Sequence, residues 1–313
     1  MSASAFPQKR TRPRRPVWEE KPSPLGQLGK GTVLTLVVAA VVVPIWVVVV
    51  TSLSSAKTIN EAGGYVVIPR EFNPSAYLAI FSGGQVTEAI LVSTLVTTAG
   101  TVLSLVLTVL AAYGLSRSGS LWHRPILFFF LLTFLIQPGM IPSYLVVTGL
   151  GLKDNLLALI LPTAVSAFNL VVLRAFFMGI PGELLDSARI DGAGEMRILT
   201  QIVLPLSKAV TAVVGLLYAV VYWNAFFNAI LYIDRNDLNP VQRVLQQFML
   251  AGQTPNDVGA GAVMHIPGLG YTTPPSLAIK MAVVVVTLVP ALLVYPFVQR
   301  HFTKGVIIGA VKG

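Results

Sequence analysis

The chain has 313 residues, of which 54% are hydrophobic and only 11% are charged, with a mean hydropathy of +0.75. A soluble domain would carry about 25% charged residues, so this composition excludes an ordinary soluble enzyme and indicates a helical protein that crosses a membrane several times. The net charge of +9 does not indicate a nucleic-acid-binding protein, because seven of the 22 Lys and Arg residues precede the first apolar run. The absence of cysteine excludes disulfides and thiolate metal sites.

Six apolar segments are long enough to cross a bilayer as helices, for which about 20 residues suffice. The first is longer than the apolar core of a secretion signal and has no small-residue cleavage site, so it is expected to remain as a span. The chain is therefore predicted to be an all-α polytopic membrane protein with six transmembrane helices. The predicted spans are 31–52, 89–114, 124–147, 156–178, 204–231 and 277–298.

Prolines interrupt two of these spans, the third at Pro138 and Pro142 and the fifth near its start at Pro205. Proline inside a helix removes a backbone hydrogen bond and bends the helix. Pattern alone leaves open an ordinary kink and a hinge or cavity-lining break.

Basic residues beside the spans predict that both termini are cytoplasmic. With that orientation 16 of the 22 Lys and Arg residues lie on the inner side, as the positive-inside rule requires. The chain then comprises a basic N-terminal segment, 1–30, a six-span domain, 31–298, with a cytoplasmic loop, 179–205, and a cytoplasmic tail, 299–313. The basic run at 9–15 is expected to fix orientation and to contact anionic lipid.

Two predicted outer loops are long. Residues 53–88 contain several Gly and Pro residues and are expected to be irregular. In the second loop, 232–276, the segment Pro240 to Leu250 has apolar residues at helical spacing. Its opposite face is polar, which predicts a helix lying along the membrane surface.

The loop between the fourth and fifth spans carries most of the chemical signal. Glu183 lies near the start of a predicted short helix, where the helix dipole favours an acid. Asp186 and Arg189 are spaced as an outward i,i+3 pair, and Asp191-Gly192 ends the helix. As a pattern, this is an amphipathic connector. A second helix is predicted to run into the fifth span, with apolar residues at Met196, Leu199, Ile202, Val203 and Leu206.

The spacing of this loop resembles the EAA loop of bacterial ABC importer permeases, which reads Glu-Ala-Ala, three residues, Gly, nine residues, Ile, any residue, Leu-Pro. One acid is one methylene shorter than the usual Glu, and a serine small enough for close packing replaces one Ala. The string from 190 to 193 is similar to the form in the carbohydrate-uptake branch. The matching residues are Asp186, Ser187, Ala188, Gly192, Ile202, Leu204 and Pro205.

A second resemblance lies at the C-terminal end, where residues 302–305 and 309–313 are similar to the tail of the maltose-type second permease subunit. The positions of the first and fifth spans and the six-span layout are also similar to this family, so the resemblance covers most of residues 30–313. They imply a type I ABC importer permease-like fold in the bacterial plasma (inner) membrane.

The resemblance implies a transporter of several subunits. The expected partners are a second homologous permease subunit, two cytoplasmic ATPase subunits and an extracytoplasmic solute-binding protein. ATP and Mg would bind the ATPase, and this chain would bind no cofactor. The sequence has no G-x-x-x-x-G-K-[ST] phosphate loop, because its nearest string, residues 26–32, has the wrong spacing. The chain is therefore expected to be a transport subunit and not an enzyme.

Three groups of residues are predicted to carry the function. A sugar path is expected along aromatic and amide side chains, which stack on sugar faces and bond hydroxyls, although the same residues are typical of interfacial anchoring and helix association. The three histidines lack metal-ligand spacing, so no metal site is predicted. The ATPase-coupling residues are Glu183, Asp186, Ser187, Ala188, Arg189, Asp191, Gly192 and Ala193, the ATPase-contacting tail residues are Lys312 and Gly313, and the path residues are Gln137, Asn169, Tyr218, Tyr222, Trp223, Asn224, Phe227 and Asn228.

Two alternatives remain open at this point. An ABC permease for a non-sugar solute would share the loop pattern in looser form. An ion-driven secondary transporter would need ionisable residues inside its spans and often shows internal repeats. The predicted span interiors hold essentially no Asp, Glu or Lys, which disfavours this second class.

Overall fold

The computed structural model describes six stretches of the chain, and these are almost entirely helical. The chain divides into two compact units, residues 1–47 and 48–313. The described part of the first unit belongs to one apolar helix whose side chains are mostly exposed. The described stretches are residues 23–82, 84–117, 122–249, 264–266, 270–272 and 274–310.

The described residues form fifteen α-helices and a small antiparallel hairpin. Strands β1 (Met264–Ile266) and β2 (Gly270–Thr272) pair with His265 opposite Tyr271. The helices are α1 (Pro24–Ser52), α2 (Ala56–Glu61), α3 (Ser75–Phe81), α4 (Gln85–Ser116), α5 (His123–Leu135), α6 (Met140–Gly149), α7 (Leu157–Ile160), α8 (Ala167–Met178), α9 (Gly182–Ile190), α10 (Glu195–Ile198), α11 (Leu204–Leu206), α12 (Lys208–Trp223), α13 (Phe226–Tyr232), α14 (Val241–Met249) and α15 (Ser276–Ala310), with 3₁₀ turns at Leu161–Thr163 and Asn236–Leu238 and a π-helical turn at Leu199–Val203.

Two described helices, α1 and α4, are long and apolar enough to cross a membrane unbroken. Three further candidates are bent pairs: α5 with α6 at 119°, residues 157–163 with α8 at 53°, and residues 195–206 with α12 at 88°. The described part of the chain therefore offers two to five spans by length and composition. A shorter apolar helix covers Ser276–Pro290.

The structure interrupts the third and fifth predicted spans near the prolines that the sequence indicated. The third is broken between Leu135 and Met140, around Pro138, with a glycine of positive φ at the break. Near Pro205, residues 195–206 meet α12, which begins at Lys208, at an angle of 88°. Helix α15 covers the sixth predicted span and continues past its expected end at 298 to Ala310 through two internal prolines.

The first predicted outer loop is more regular than its glycines and prolines indicated, since it contains α2 and α3. Ser55 caps α2 by accepting a hydrogen bond from the Thr58 N–H. Glu71 accepts hydrogen bonds from the Ser55 N–H at 2.9 Å and from the Thr58 hydroxyl at 2.6 Å. These contacts join residues 13 to 16 positions apart and hold the loop in place. The content of glycine and proline in the loop could not predict them.

Helix α4 has a buried face of small and polar residues and an exposed face of large apolar ones. This arrangement is typical of helices that pack against protein on one side and lipid on the other. Neighbouring helices approach closely where side chains are small, and α12 and α8 both pack on this face. The buried face carries Ser93, Gly100, Ser104, Thr108 and Ala112, and the exposed face carries Leu91, Leu95, Val102 and Val106.

The amphipathic helix expected on the membrane surface is present as α14, but its apolar face contacts protein. Val241, Val244 and Phe248 are fully buried in a core that includes Ile80 and Ile279. The Val241 N–H also donates to the Ser93 hydroxyl of α4 at 2.8 Å. Periodicity predicted the helix correctly, but it could not distinguish a protein core from a lipid surface because both accept the same apolar face.

An aspartate in the connection between the third and fourth predicted spans bonds the backbone just after the fifth. Asp154 has a φ of +55°. Its Oδ1 accepts hydrogen bonds from the N–H groups of Asp234 at 2.6 Å and Arg235 at 3.0 Å. Lys153 adds an ion pair to Asp234 at 2.7 Å, and Tyr144 stacks on Tyr232 nearby. Hydrogen bonds from the backbone N–H groups of Arg235 and Asp234 lower the pKa of Asp154.

Replacing Asp154 tests this connection. Asp154→Ala should lower the melting temperature in detergent, because it removes both hydrogen bonds and places alanine at positive φ. Asp154→Asn should keep most stability, since asparagine retains an acceptor and tolerates this backbone. The pKa of Asp154 is lower in the folded state, so its contribution is present above its unfolded pKa of about 4 and is lost as pH falls through the folded pKa. Between pH 6 and pH 3 the melting temperature should therefore fall further for the wild type than for the Asn variant. Equal melting temperatures for the Ala and Asn variants would contradict the assignment.

Candidate coupling site and transport path

The segment between α8 and α12 forms a short helix that lies on the protein with one face and projects outward with the other. Helix α9 begins directly after Pro181, whose fixed φ and missing N–H suit a helix start. Leu185 is buried, and Ala188 and Ala193 pack against the same apolar core. The predicted coupling residues Glu183, Asp186, Ser187, Arg189, Asp191 and Gly192 are exposed.

Gly192 ends α9 with a specific backbone arrangement. Its φ is +80°, in the left-handed region. The Gly192 N–H donates to the Arg189 carbonyl at 3.0 Å, and the Ala193 N–H donates to the Ala188 carbonyl at 2.9 Å. These two bonds form a Schellman motif, which satisfies carbonyls that a helix end would leave unpaired. The turn between α9 and α10 is therefore defined by backbone hydrogen bonds, as the Asp191-Gly192 pair predicted.

Arg189 is the centre of an ion-pair network. Its Nη1 donates to Asp186 Oδ1 at 2.9 Å, which confirms the predicted i,i+3 pair. Its Nε and Nη2 both lie 3.1 Å from Glu195 Oε1 at the start of α10. The other carboxylate oxygen of Glu195 accepts a hydrogen bond from the Tyr113 hydroxyl near the end of α4. The hydrogen bond from Tyr113, together with the bond and positive charge of Arg189, lowers the pKa of Glu195.

The second helix of the loop is present and continues through a π-helical turn at residues 199–203. Of its apolar residues, Leu199 and Val203 are buried, whereas Met196 and Leu206 are exposed. A π turn contains one more residue than an α turn, so the residues after it lie on a different face from the one that constant α-helical spacing predicts.

Tyr218 and Tyr222, two predicted path residues, are buried at the contact of α12 with α4. The Tyr218 hydroxyl lies 2.7 Å from the Thr108 hydroxyl and accepts the Ser166 N–H at 2.9 Å. The Tyr222 hydroxyl lies 2.6 Å from the Ser104 hydroxyl and donates to the Ile160 carbonyl at 3.0 Å. Its ring also lies where a side chain on Gly100 would be, at 2.8 Å from an added Cβ.

The two tyrosines therefore satisfy backbone groups at the break between α7 and α8. Ile160 and Ser166 flank that break, and Pro162 lies within it. Each tyrosine hydroxyl also contacts a hydroxyl of α4, so both groups have protein partners in this structure.

The remaining predicted path residues do not form one cluster in the described chain. Asn169 is buried near the start of α8, and Trp223 donates to the Thr287 carbonyl of α15 at 3.1 Å. The Asn224 amide donates to the Val220 carbonyl at the end of α12. Gln137 and Asn224 are exposed, Phe227 is half-exposed and Asn228 is partly buried. The predicted tail residues Lys312 and Gly313 lie outside the described residues.

Sequence reasoning missed four residues that the structure brings to these sites. Tyr113 and Glu195 are 82 positions apart, and the partners of the tyrosines, Ser104 and Thr108, are more than 100 positions from them. The available signal was the repeat of small and polar residues along α4, which marks a packing face. Among the described residues, no three His, Asp or Glu side chains come together as metal ligands.

These features define a helical membrane protein of several spans that carries a rigid projecting loop between two of them. The chain belongs to the family of binding-protein-dependent transport system inner membrane components, which matches residues 104–308. The resemblance drawn from the loop and the tail is thereby confirmed. The members of this family are transport permeases and not enzymes.

Individual relatives match nearly the whole chain. The polygalacturonan/rhamnogalacturonan transport system permease protein YtcP of Bacillus subtilis is 44% identical over 262 residues, which are 83% of this chain and 90% of that protein. Protein LplC of the same organism is 38% identical, covering 88% of this chain and 90% of its own length. A crystal structure of a bacterial ABC transporter involved in the import of the acidic polysaccharide alginate contains a chain with a TM-score of 0.81 and 26% identity, covering 91% of this chain and 99% of that one.

Gly192 and Gly194 offer a matched test of the turn. Neither position has an atom within 4 Å of an added Cβ, but only Gly192 has positive φ. Gly192→Ala should therefore destabilise the turn by about 1 kcal/mol. This loss corresponds to roughly fivefold faster amide hydrogen exchange in residues 186–193. Gly194→Ala should leave exchange unchanged, because its φ of −71° suits alanine. Equal exchange in the two variants would show that the left-handed turn does not hold the segment.

The tyrosine hydroxyls can be removed singly. Tyr218→Phe and Tyr222→Phe should each lower the free energy of unfolding by about 1–2 kcal/mol, because buried partners lose their bonds. Unfolding would be followed by denaturant titration in detergent, with the exposed Tyr65→Phe as the control. Unchanged stability together with altered substrate transport would instead favour a direct role for these hydroxyls in the path.

Proposed function

We propose that this chain is a transmembrane permease subunit of an ATP-binding-cassette importer for a carbohydrate, an oligosaccharide or glycoside. An extracytoplasmic solute-binding protein would deliver the substrate. The chain would cross the bacterial plasma membrane six times, with both termini in the cytoplasm and α15 supplying the sixth span. The observation that carries the proposal is the coupling segment, residues 182–193, in a chain whose family imports solutes through binding proteins.

The coupling segment has the properties required for docking on another subunit. Its inner face is packed by Leu185 and Ala188, and its outer face presents the carboxylates of Glu183 and Asp186. Asp186 is 68% exposed although it pairs with Arg189, and an exposed pair of this kind costs little to exchange for another partner. A cation on the ATPase subunit is therefore the contact that we assign to Asp186.

Force on this segment would reach the spans through short, stiff connections. The Schellman turn at Gly192 joins α9 to α10, and residues 195–206 meet α12 at 88°. Motion of α9 would thus rotate a short helix that lies across the end of α12, instead of being absorbed by a loose connection. ATP and Mg would bind only the two ATPase subunits.

The substrate assignment rests on the relatives. YtcP is named for polygalacturonan and rhamnogalacturonan transport, and the alginate importer is named for an acidic polysaccharide. A second, homologous permease would complete the path, and the exposed side chains of Gln137, Asn224 and Phe227 are the candidates to line it. A non-sugar solute remains the alternative that the substrate assay decides.

Co-purification and uptake test the proposal together. The chain would be isolated with its co-expressed neighbours, and a P-loop ATPase and a second permease should co-purify. Proteoliposomes with the binding protein should take up labelled oligosaccharides of polygalacturonan or alginate, and not an amino acid, when ATP is supplied. Isolation without an ATPase, combined with uptake driven by an ion gradient, would reject the importer assignment.

Removing the acid at the proposed contact gives a sharper prediction. Asp186→Ala should lower ATP-dependent uptake at least fivefold, because a charged contact between subunits typically contributes more than about 1 kcal/mol. The matched control is Glu61→Ala, which breaks an exposed ion pair with Arg70 in a predicted outer loop. Equal uptake by the two variants would remove Asp186 from the coupling contact.

A further inference from the structure

We propose that Glu195 and Tyr113 are positioning residues that tie the coupling segment to α4, so that movement of α9 is passed to the second predicted span as well as to α12. This inference rests on the proposed function, since it concerns how the docked segment transmits force. The inference is carried by the carboxylate of Glu195, whose two oxygens accept hydrogen bonds from two different helices, α4 and α9.

The contacts form a continuous hydrogen-bond network across three helices. Arg189 of α9 holds Oε1 of Glu195 at 3.1 Å, and Oε2 of the same carboxylate accepts the Tyr113 hydroxyl of α4. Asp186 contacts only the outward end of Arg189, at Nη1. A cation that takes over Asp186 therefore leaves the two bonds from Arg189 to Glu195 in place, and the inward part of the chain remains connected during docking.

Helices α4 and α9 also share an apolar core, which contains Tyr113 and Leu185, beside a groove of about 800 Å³ lined by Tyr113, Arg117, Leu185, Arg189 and Glu195 among others. Apolar contact of this kind is non-directional. The hydrogen bonds from Arg189 through Glu195 to Tyr113 add a directional restraint between the two helices.

Arg117 contacts Tyr113, the residue of α4 in this hydrogen-bond network. Its guanidinium carbon lies 4.3 Å from the centre of the Tyr113 ring, a cation–π distance. Its Nε and Nη2 are buried and have no hydrogen-bond partner among the described residues. The positive charge of Arg117 also helps to lower the pKa of Glu195, after the contributions of Tyr113 and Arg189. Glu195 thus stays ionised at neutral pH and keeps both acceptors available.

The test measures how much substrate enters per ATP hydrolysed by the assembled importer in proteoliposomes. Tyr113→Phe removes the hydroxyl and keeps the ring under Arg117, and Glu195→Gln removes the charge at nearly constant shape. Each should lower the ratio about fivefold or more while the ATPase still co-purifies. The control is Arg197→Gln on α10, an exposed arginine whose hydrogen bond stays within its own loop, to Gln201. Its ratio should equal that of the wild type.

A double variant separates a shared linkage from two independent defects. If Tyr113 and Glu195 act through one contact, the double variant should lose no more than the worse single variant. Unchanged ratios, or losses that multiply, in complexes that retain the ATPase would overturn this inference and leave the importer assignment intact. A wild-type chain that binds no ATPase would overturn both.

Discussion

The structure depends on the rule that a chain in lipid must satisfy its own backbone polar groups. The predicted fourth span departs from this rule locally, because it bends by 53° between Thr163 and Ala167. Tyr218 and Tyr222 repair the break from another helix by bonding the Ser166 N–H and the Ile160 carbonyl. Helix α12 thus stabilises the bend. The fold is consequently a set of interdependent spans, and α4, α8 and α12 act as one block.

The coupling segment is attached to this block at several points. Leu185 packs into the same apolar core that contains Tyr218 and Tyr222. The Schellman turn and the 88° bend connect the segment to α12, and Glu195 connects it to α4 through Tyr113. Under the proposed function, a partner bound to the outer face of α9 would act on all of these connections together and not on one loose loop.

The sequence predicted those features that depend on local patterns. Hydropathy predicted a helical membrane protein. The Asp191-Gly192 pair predicted where α9 ends, and the spacing of Asp186 and Arg189 predicted its outer face. The sequence did not predict features that depend on contacts between distant residues. These are the caps of the first predicted outer loop, the protein contact of α14, and the hydrogen-bond partners of the two tyrosines. The π turn at 199–203 also departs from the constant helical period that a sequence pattern assumes. The importer family was reached through a resemblance, which the comparisons then confirmed.

The tyrosine contacts also have a consequence for biogenesis. Ser166 and Ile160 precede their tyrosine partners by 52 and 62 positions, so the ribosome completes the fourth predicted span well before the side chains that repair it exist. During that interval the bent conformation lacks its hydrogen bonds with Tyr218 and Tyr222, and the Ile160 carbonyl keeps a long one, from the Thr163 hydroxyl at 3.5 Å. We expect the fourth span to enter the bilayer straighter, or to remain beside the translocon, until the fifth arrives. The native shape of the fourth span therefore depends on residues that are inserted later. In a nascent chain that ends before residue 218, we expect the fourth span to differ in shape from the finished protein.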